Sequence, residues 1–290
     1  MERHSETQRL KWALAISLIY FFAELIAGFV TNSLALLSDA GHMLSDIGAL
    51  GLSLFAFRMA RKPATLSSTY GYHRVEILVA LFNGLALWLI VGIIFAAAYS
   101  RFFAPPIVES YGMMIVAVIG LIINLVAAAI LHGGHHHNLN LRGAFLHVVS
   151  DAVGSVGAII AGAIMLTTGW YLADPLISVL IGLLILYSSW SLIKDSLSVL
   201  MQSVPKGIRL DEVRETIEAV DGVSKVHDLH VWAVTSDIFT LSAHAVVENG
   251  GDFHEVLNGI EDTLKERFNI EHITIQLEIE SREEKEFKGF

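Results

Sequence analysis

His42-Met43-Leu44-Ser45-Asp46 and His147-Val148-Val149-Ser150-Asp151 are two copies of one pentad, each set inside a long apolar stretch. Residues four apart lie one above the other on a helix face, so each copy offers an imidazole and a carboxylate side by side. Two such helices supply four nitrogen and oxygen donors. A tetrahedral Zn2+ takes that number, and it accepts those donor types. A carboxylate at the middle of a bilayer is costly, roughly 2.5 to 3.5 kcal/mol on insertion scales. A bound zinc offsets that cost, since such a site contributes about 10 to 16 kcal/mol. A polar contact that merely holds helices together leaves the repetition of the pentad unexplained.

Around the pentads, apolar runs fall near 12–31, 34–57, 75–99, 111–132, 142–168 and 175–194, each close to the ~20 residues that cross a bilayer. A hydrophobic content of 54% and a mean hydropathy of +0.58 agree with a membrane protein. The first run is long for a signal-peptide core and lacks a small-residue cleavage site after it, so no cleavable leader is expected.

Charge divides the chain. Residues 1–200 hold ten Lys and Arg against ten Asp and Glu, and residues 201–290 hold nine against nineteen. The net charge of −10 therefore belongs to the C-terminal part, and an acidic surface favours cations over nucleic acid. The expected organisation is a six-helix transmembrane domain over 1–204 and a soluble cytoplasmic domain over 205–290. The chain has no Cys, so a metal site must use His, Asp, Glu or backbone oxygen, and copper(I), which prefers sulfur, is disfavoured.

Six spans put both termini on one side. The N-terminal Arg3, Arg9 and Lys11 share that side with Arg58, Arg61, Lys62, Arg74, Arg142, Lys194 and Lys206, while the other side has Arg101. The positive-inside rule then makes both termini cytoplasmic, in a multi-pass cell (inner) membrane protein surrounded by lipid.

Several polar residues stand outside the pentads. Glu24 in the first span either faces a water-filled cavity or pairs with another helix. Asp39 shares a stripe with His42 and Asp46 and reads as a helix-start or exit-path residue rather than a ligand. His73 is either a cytoplasmic metal ligand or a surface histidine, and Arg74 and Glu76 anchor a helix end. Asn83 and Asn124 suit interhelical hydrogen bonds. The stretch from His132 through His135, His136 and His137 is either a loose metal-gathering loop or a solvated one. Gly48, Gly51, Gly154, Gly157 and Gly162 follow the pentads and suit the close approach of helices that share an ion.

Beyond Pro205 the pattern becomes that of a soluble fold. An amphipathic helix is expected over 208–220, strands over 223–234 and 239–248, a helix over 253–268 and a strand over 272–280. The order αββαβ predicts a small open-faced α+β sandwich with two helices on one sheet face. Strand parity puts Ile273, Ile275, Leu277 and Ile279 on the core face and His272, Gln276 and Glu278 on the other, where His244 joins them. His227, His230, His244, His254 and His272 either bind regulatory metal, lie at a dimer contact, or are scattered surface histidines.

At Ser38-Asp-Ala-Gly-His42-Met-Leu-Ser-Asp46 and Phe145-Leu-His147-Val-Val-Ser-Asp151 the chain resembles a cation diffusion facilitator of the bacterial zinc-exporting branch. The resemblance extends to Tyr70-Gly-Tyr-His-Arg-Val-Glu76, His227-Asp-Leu-His-Val-Trp232, Leu241-Ser-Ala-His244 and His272-Ile-Thr-Ile-Gln-Leu-Glu278. It implies a homodimer whose protomers each exchange cytoplasmic Zn2+ for external protons by alternating access, through His42, Asp46, His147 and Asp151. It also implies a ferredoxin-like cytoplasmic domain that binds zinc and dimerises, with His227, His244 and Glu278 at ligand-like positions. Gln276 stands where some relatives have a metal-binding histidine, which leaves the number of cytoplasmic metals open. Two alternatives accompany this reading: transport of Co2+, Ni2+ or Cd2+, and a membrane-anchored metal sensor. A membrane metalloenzyme is disfavoured, because no His-Glu-x-x-His string is present and four protein ligands leave no open coordination position.

Overall fold

A computed structural model describes residues 18–132, 139–235, 237–248 and 252–279, with the backbone alone at 50, 130–132 and 139–147. Six apolar helices come first: α1 (Leu18–Thr31), α2 (Leu34–Ala60), α3 (Arg74–Phe103), α4 (Ser110–His132), α5 (Leu139–Thr168) and α6 (Ala173–Leu200). Helices α2 to α6 are long and apolar enough to cross a membrane, and α1 is shorter over the residues described. Helix α2 continues past the apolar run that ends near 57, α3 past 99 and α6 past 194. Hydropathy marks the hydrocarbon slab, whereas the backbone hydrogen-bond ladder continues into the interface, where Arg58 and Lys194 are exposed.

The chain forms two compact units, one of residues up to 52 with 82–192 and one of 53–81 with 193–290. In the first, small side chains let the helices approach. Ala35 and Leu36 of α2 cluster with Met113 and Ala117 of α4 and with Ala158 and Ala161 of α5. A Cβ at Gly154 would meet the Asp39 carboxylate at 3.6 Å, and one at Gly162 would meet Met114 of α4 at 3.3 Å. Gly48 and Gly51 have nothing within 4 Å. Close approach on α2 thus comes from the buried Ala35 and Ala40 instead of from those glycines.

The N-terminus of α2 is fixed from a distance in sequence. Asp174, fully buried in the first turn of α6, accepts hydrogen bonds from Ser33 Oγ at 2.7 Å, Leu34 N at 2.8 Å and Ala35 N at 3.2 Å. It thereby satisfies backbone donors that a helix start leaves orphaned. Arg101, near the end of α3, meets the same carboxylate at 3.2 Å and also donates to Asn32 O at 2.7 Å and Asn32 Oδ1 at 3.0 Å. Asp39 lies in the second turn of α2, so the helix-start role expected for it belongs to Ser33 and Asp174.

The C-terminal sequence forms α7 (Leu210–Glu218), β1 (Val223–Thr235), β2 (Ile238–Val247), α8 (Phe253–Phe268) and β3 (His272–Glu278), the expected αββαβ order. The sheet runs β1-β2-β3, antiparallel between β1 and β2 and parallel between β2 and β3. Val213 and Ile217 of α7 and Val256, Ile260 and Leu264 of α8 pack with Leu241, Ala243, Ala245 and Val247 of β2. Ile273, Ile275 and Leu277 join this core from β3. Ile279 does not; it is exposed just past the strand end. Asp252 caps α8 by accepting from His254 N at 2.8 Å, and Asn269 closes it in the left-handed conformation at φ 55°.

Candidate metal centres

Helices α2 and α5 bring the first candidate site together in the first unit. His42 Nε2 lies 3.6 Å from Asp46 Oδ2 on its own helix and 3.8 Å from Asp151 Oδ1 on α5. Both distances exceed a hydrogen bond. They approach the edge of a tetrahedron around zinc, about 3.3 to 3.6 Å for bonds of about 2.0 to 2.2 Å. The His42 and Asp46 side chains are 17% and 30% exposed, but Asp46 Oδ2 and Asp151 Oδ1, the oxygens that face His42, are themselves buried. Position 147 precedes Asp151 by four residues on α5, on the same helix stripe. One turn before His42, Asp39 is buried and faces Gly154. Glu24 is buried on α1 and accepts a 3.0 Å hydrogen bond from Tyr20, one turn away. Ser45 donates to Asn83 Oδ1 at 3.0 Å, the interhelical bond expected of that amide.

The second candidate lies on the face of the sheet away from α7 and α8. His227 on β1 and His244 on β2 are direct cross-strand neighbours, with ring centroids 5.2 Å apart. Glu278 of β3 reaches both, at 3.3 Å from His227 Nε2 and 3.5 Å from His244 Nδ1. Ligand atoms from these three residues all lie within 4.8 Å of one another, the one such group of His and carboxylate among the described residues. His227 and Glu278 are buried, and a carboxylate buried against two imidazoles is a donor set suited to a borderline divalent ion. Gln276 donates to Glu278 Oε1 at 2.6 Å and so holds the carboxylate in place.

Other sequence-stretch candidates separate from this trio. His230 is on the same face, with Nε2 2.8 Å from Asp228 Oδ1. His272 pairs with Thr240, four residues along β2 from His244, and its ring meets Tyr70 edge-on at 5.4 Å. With His73 and Lys62 it lines a cleft of about 520 Å³. His254 begins α8, away from the cluster in sequence and on the helical layer. The histidine stretch at 135–137 lies outside the described residues. Sequence reasoning passed over Asp174, although an Asp before Pro175 at a helix start is a recognisable capping signal. It also passed over Asp228, set between two candidate ligands.

Comparison with known proteins decides the family. Residues 10–201 match the cation efflux transmembrane domain, and residues 205–280 match the cation efflux protein cytoplasmic domain. The chain belongs to the cation diffusion facilitator family. A cadmium, cobalt and zinc/H(+)-K(+) antiporter of Bacillus subtilis is 45% identical over 96% of this chain and 92% of its own length. The metal cation efflux system protein CzcD of Cupriavidus metallidurans is 46% identical, covering 93% of this chain and 86% of that one. The zinc transporter ZitB of Escherichia coli is 40% identical, covering 94% and 88%. As a member of this family the chain is a multi-pass membrane transporter of metal cations and not an enzyme.

Proposed function

We propose that this facilitator exports Zn2+ from the cytoplasm in exchange for external protons, with His42, Asp46, His147 and Asp151 as the carrier site. The observation that carries the reading is His42 Nε2 standing 3.6 Å from the Asp46 carboxylate on its own helix and 3.8 Å from the Asp151 carboxylate on α5. The two carboxylates balance the charge of one Zn2+, and two neutral imidazoles complete four donors. When the site opens outward, protons compete for the imidazoles, a group that titrates at about 6.5 when unperturbed. Metal and proton then exclude each other, which is the coupling an exchanger needs. The names of the relatives, zinc transporter and H(+)-K(+) antiporter, support both halves of the reading.

The carrier occupies residues 1–204 of a protein in the cell membrane with both termini cytoplasmic. Residues 205–290 form the cytoplasmic part through which two copies associate, with a divalent ion held by His227, His244 and Glu278. In sealed vesicles, zinc is expected to move against its gradient when a pH gradient is imposed, and His42→Ala is expected to abolish the movement. Zinc flux that ignores the pH gradient would remove the exchange while leaving transport.

A second reading, transport of several divalent ions, is favoured by relatives named for cadmium and cobalt as well as zinc. Two histidines and two aspartates are not exclusive to zinc. If the imidazole at position 42 sets the preference, His42→Asp raises the ratio of Cd2+ to Zn2+ flux several-fold; an unchanged ratio assigns selectivity elsewhere.

A further inference from the structure

Glu24 and Asp39 are two acid groups that the carrier site does not use. Glu24 is 1% exposed on α1 and Asp39 is 6% exposed on α2, where Tyr20 and Phe21 of α1 pack against Ala40 and Met43 of α2. Their carboxyls meet across that contact at hydrogen-bonding range, so Glu24 pairs with another helix. Tyr20 Oη donates to Glu24 Oε1 at 3.0 Å. Gly120 of α4 leaves room for that hydroxyl, since a Cβ there would overlap it. Gly154 of α5 approaches Asp39 from its own side, where a Cβ would sit 3.6 Å from Oδ1. Four helices thus close around the pair.

An ionised carboxylate accepts hydrogen bonds and donates none. Glu24 Oε2 is buried, with no donor reaching it among the described residues. An oxygen of Glu24 and an oxygen of Asp39 can therefore bond only through a proton held between them. Two buried carboxylates side by side do not both ionise without a cation to balance them. The sequence supplies no Lys or Arg close by. Helix α4 and the Leu18–Thr31 stretch of α1 have none, Arg58 lies about five turns along α2 from Asp39, and Arg142 lies about three turns along α5 from Gly154. The titratable groups that act on Glu24 are Asp39, Tyr20 and, from α5, Asp151. Helix α4 has no titratable residue between Tyr111 and His132, and it offers the Val116 carbonyl, 3.4 Å from Tyr20 Oη.

We propose that Glu24 and Asp39 form a proton-binding site apart from the metal donors, which holds one proton between the two carboxyls and gives it up when a divalent ion enters the carrier site. The inference rests on the reading of this protein as a metal-proton exchanger and adds a second place from which protons are drawn. Asp39 stands one helical turn from His42, about 5 Å along the axis, so the charge of a bound Zn2+ acts on the pair at short range and with little water between. The ion's positive charge stabilises both carboxylates, the shared proton leaves to solvent, and two carboxylates remain. When the ion departs, the pair takes a proton back. Proton and metal are then coupled through the field between two sites as well as by competition for the same imidazoles.

The test is infrared spectroscopy of the full-length protein in lipid at neutral pH, zinc-free and zinc-saturated. The zinc-free wild type is expected to show the C=O band of a protonated carboxyl, which shifts in D2O and is lost when Zn2+ binds. Glu24→Gln is expected to remove that band. Tyr20→Phe, which takes away one hydrogen bond with little change of shape, is expected to move its frequency. A wild type without the band, or a Glu24→Gln protein that keeps all of it, overturns the proposal. Should Glu24→Gln fail to fold, a band unmoved in Tyr20→Phe overturns it as well. Calorimetry in buffers of different ionisation enthalpy then counts the protons released per Zn2+ bound. Glu24→Gln is expected to release one fewer than the wild type, and an equal count overturns the link to the metal. The exchange reading fails separately, on wild-type zinc flux that ignores a pH gradient, whereas the band reports the pair alone.

Discussion

The cluster around His42 brings His42 and Asp46, one turn apart on α2, to Asp151 of α5, whereas the cluster around Glu278 takes one residue from each of three strands. Both use imidazole and carboxylate with buried donor atoms, and the difference lies in support. The members of the membrane group are carried by two different helices with no hydrogen-bond ladder between them. The cytoplasmic group has its carboxylate buried, held by Gln276, and its strands are cross-linked by a hydrogen-bonded ladder. A carrier must release its cargo, so donors on elements that can move apart suit transport. Donors fixed within one sheet suit retention.

The largest effect expected is on the membrane cluster. Changes to groups that merely orient a ligand cost about 10- to 100-fold in metal affinity, so loss of a direct donor costs more. Asp151→Ala is expected to take zinc flux in vesicles to background, while Glu278→Gln weakens zinc retention in the cytoplasmic part by at least about 100-fold and leaves flux measurable. Flux lost in Glu278→Gln and kept in Asp151→Ala would invert the roles assigned to the two regions.

A smaller effect sharpens why the helical cluster can be both ordered and movable. The Asp174 carboxylate holds the start of α2 two turns before His42, and Arg101 is paired with it at 3.2 Å. Removing one partner of a buried pair costs about 3 to 5 kcal/mol. Asp174→Ala is therefore expected to lower the thermal stability of the detergent-solubilised protein by that order. Replacing Arg101 by Met in the same protein should recover part of the loss, because no unpaired cation remains. Loss of flux with unchanged stability would instead place Asp174 on the ion path.

The helical half was legible because its signals are local. A pentad of i, i+4 spacing writes its own geometry, and apolar runs of spanning length announce the helices that carry it. The meeting of Asp151 with His42 followed from repetition alone. Strand alternation gave the core face of β3, with Ile273, Ile275 and Leu277 where parity put them. It did not give the bulge at Asp228, where the β1 ladder shifts register between His227 and His230, since a bulge depends on pairing with a partner strand and leaves no period in the chain. Nor did it give the bond between Asp174 and Ser33, residues 141 apart in sequence. Only the packing of α6 beside α2 brings them together.

The smallest effect tests whether the two faces of the cytoplasmic sheet are independent. Asp252 caps α8 through His254 N, and loss of such a cap costs about 1 kcal/mol. Helix α8 packs on the core face, and the histidines lie on the other. Metal bound to the native state adds stability by mass action without altering the worth of a cap on the far side. Asp252→Ala should therefore weaken hydrogen-exchange protection of the α8 amides in the full-length protein by the same factor with and without saturating Zn2+. A cap that costs more once zinc is bound would show the metal face and the helix face acting through the sheet as one. The contrast between a movable membrane cluster and an isolated, rigid cytoplasmic one would then have to include transmission through the core at Ile260 and Leu264, both fully buried against it.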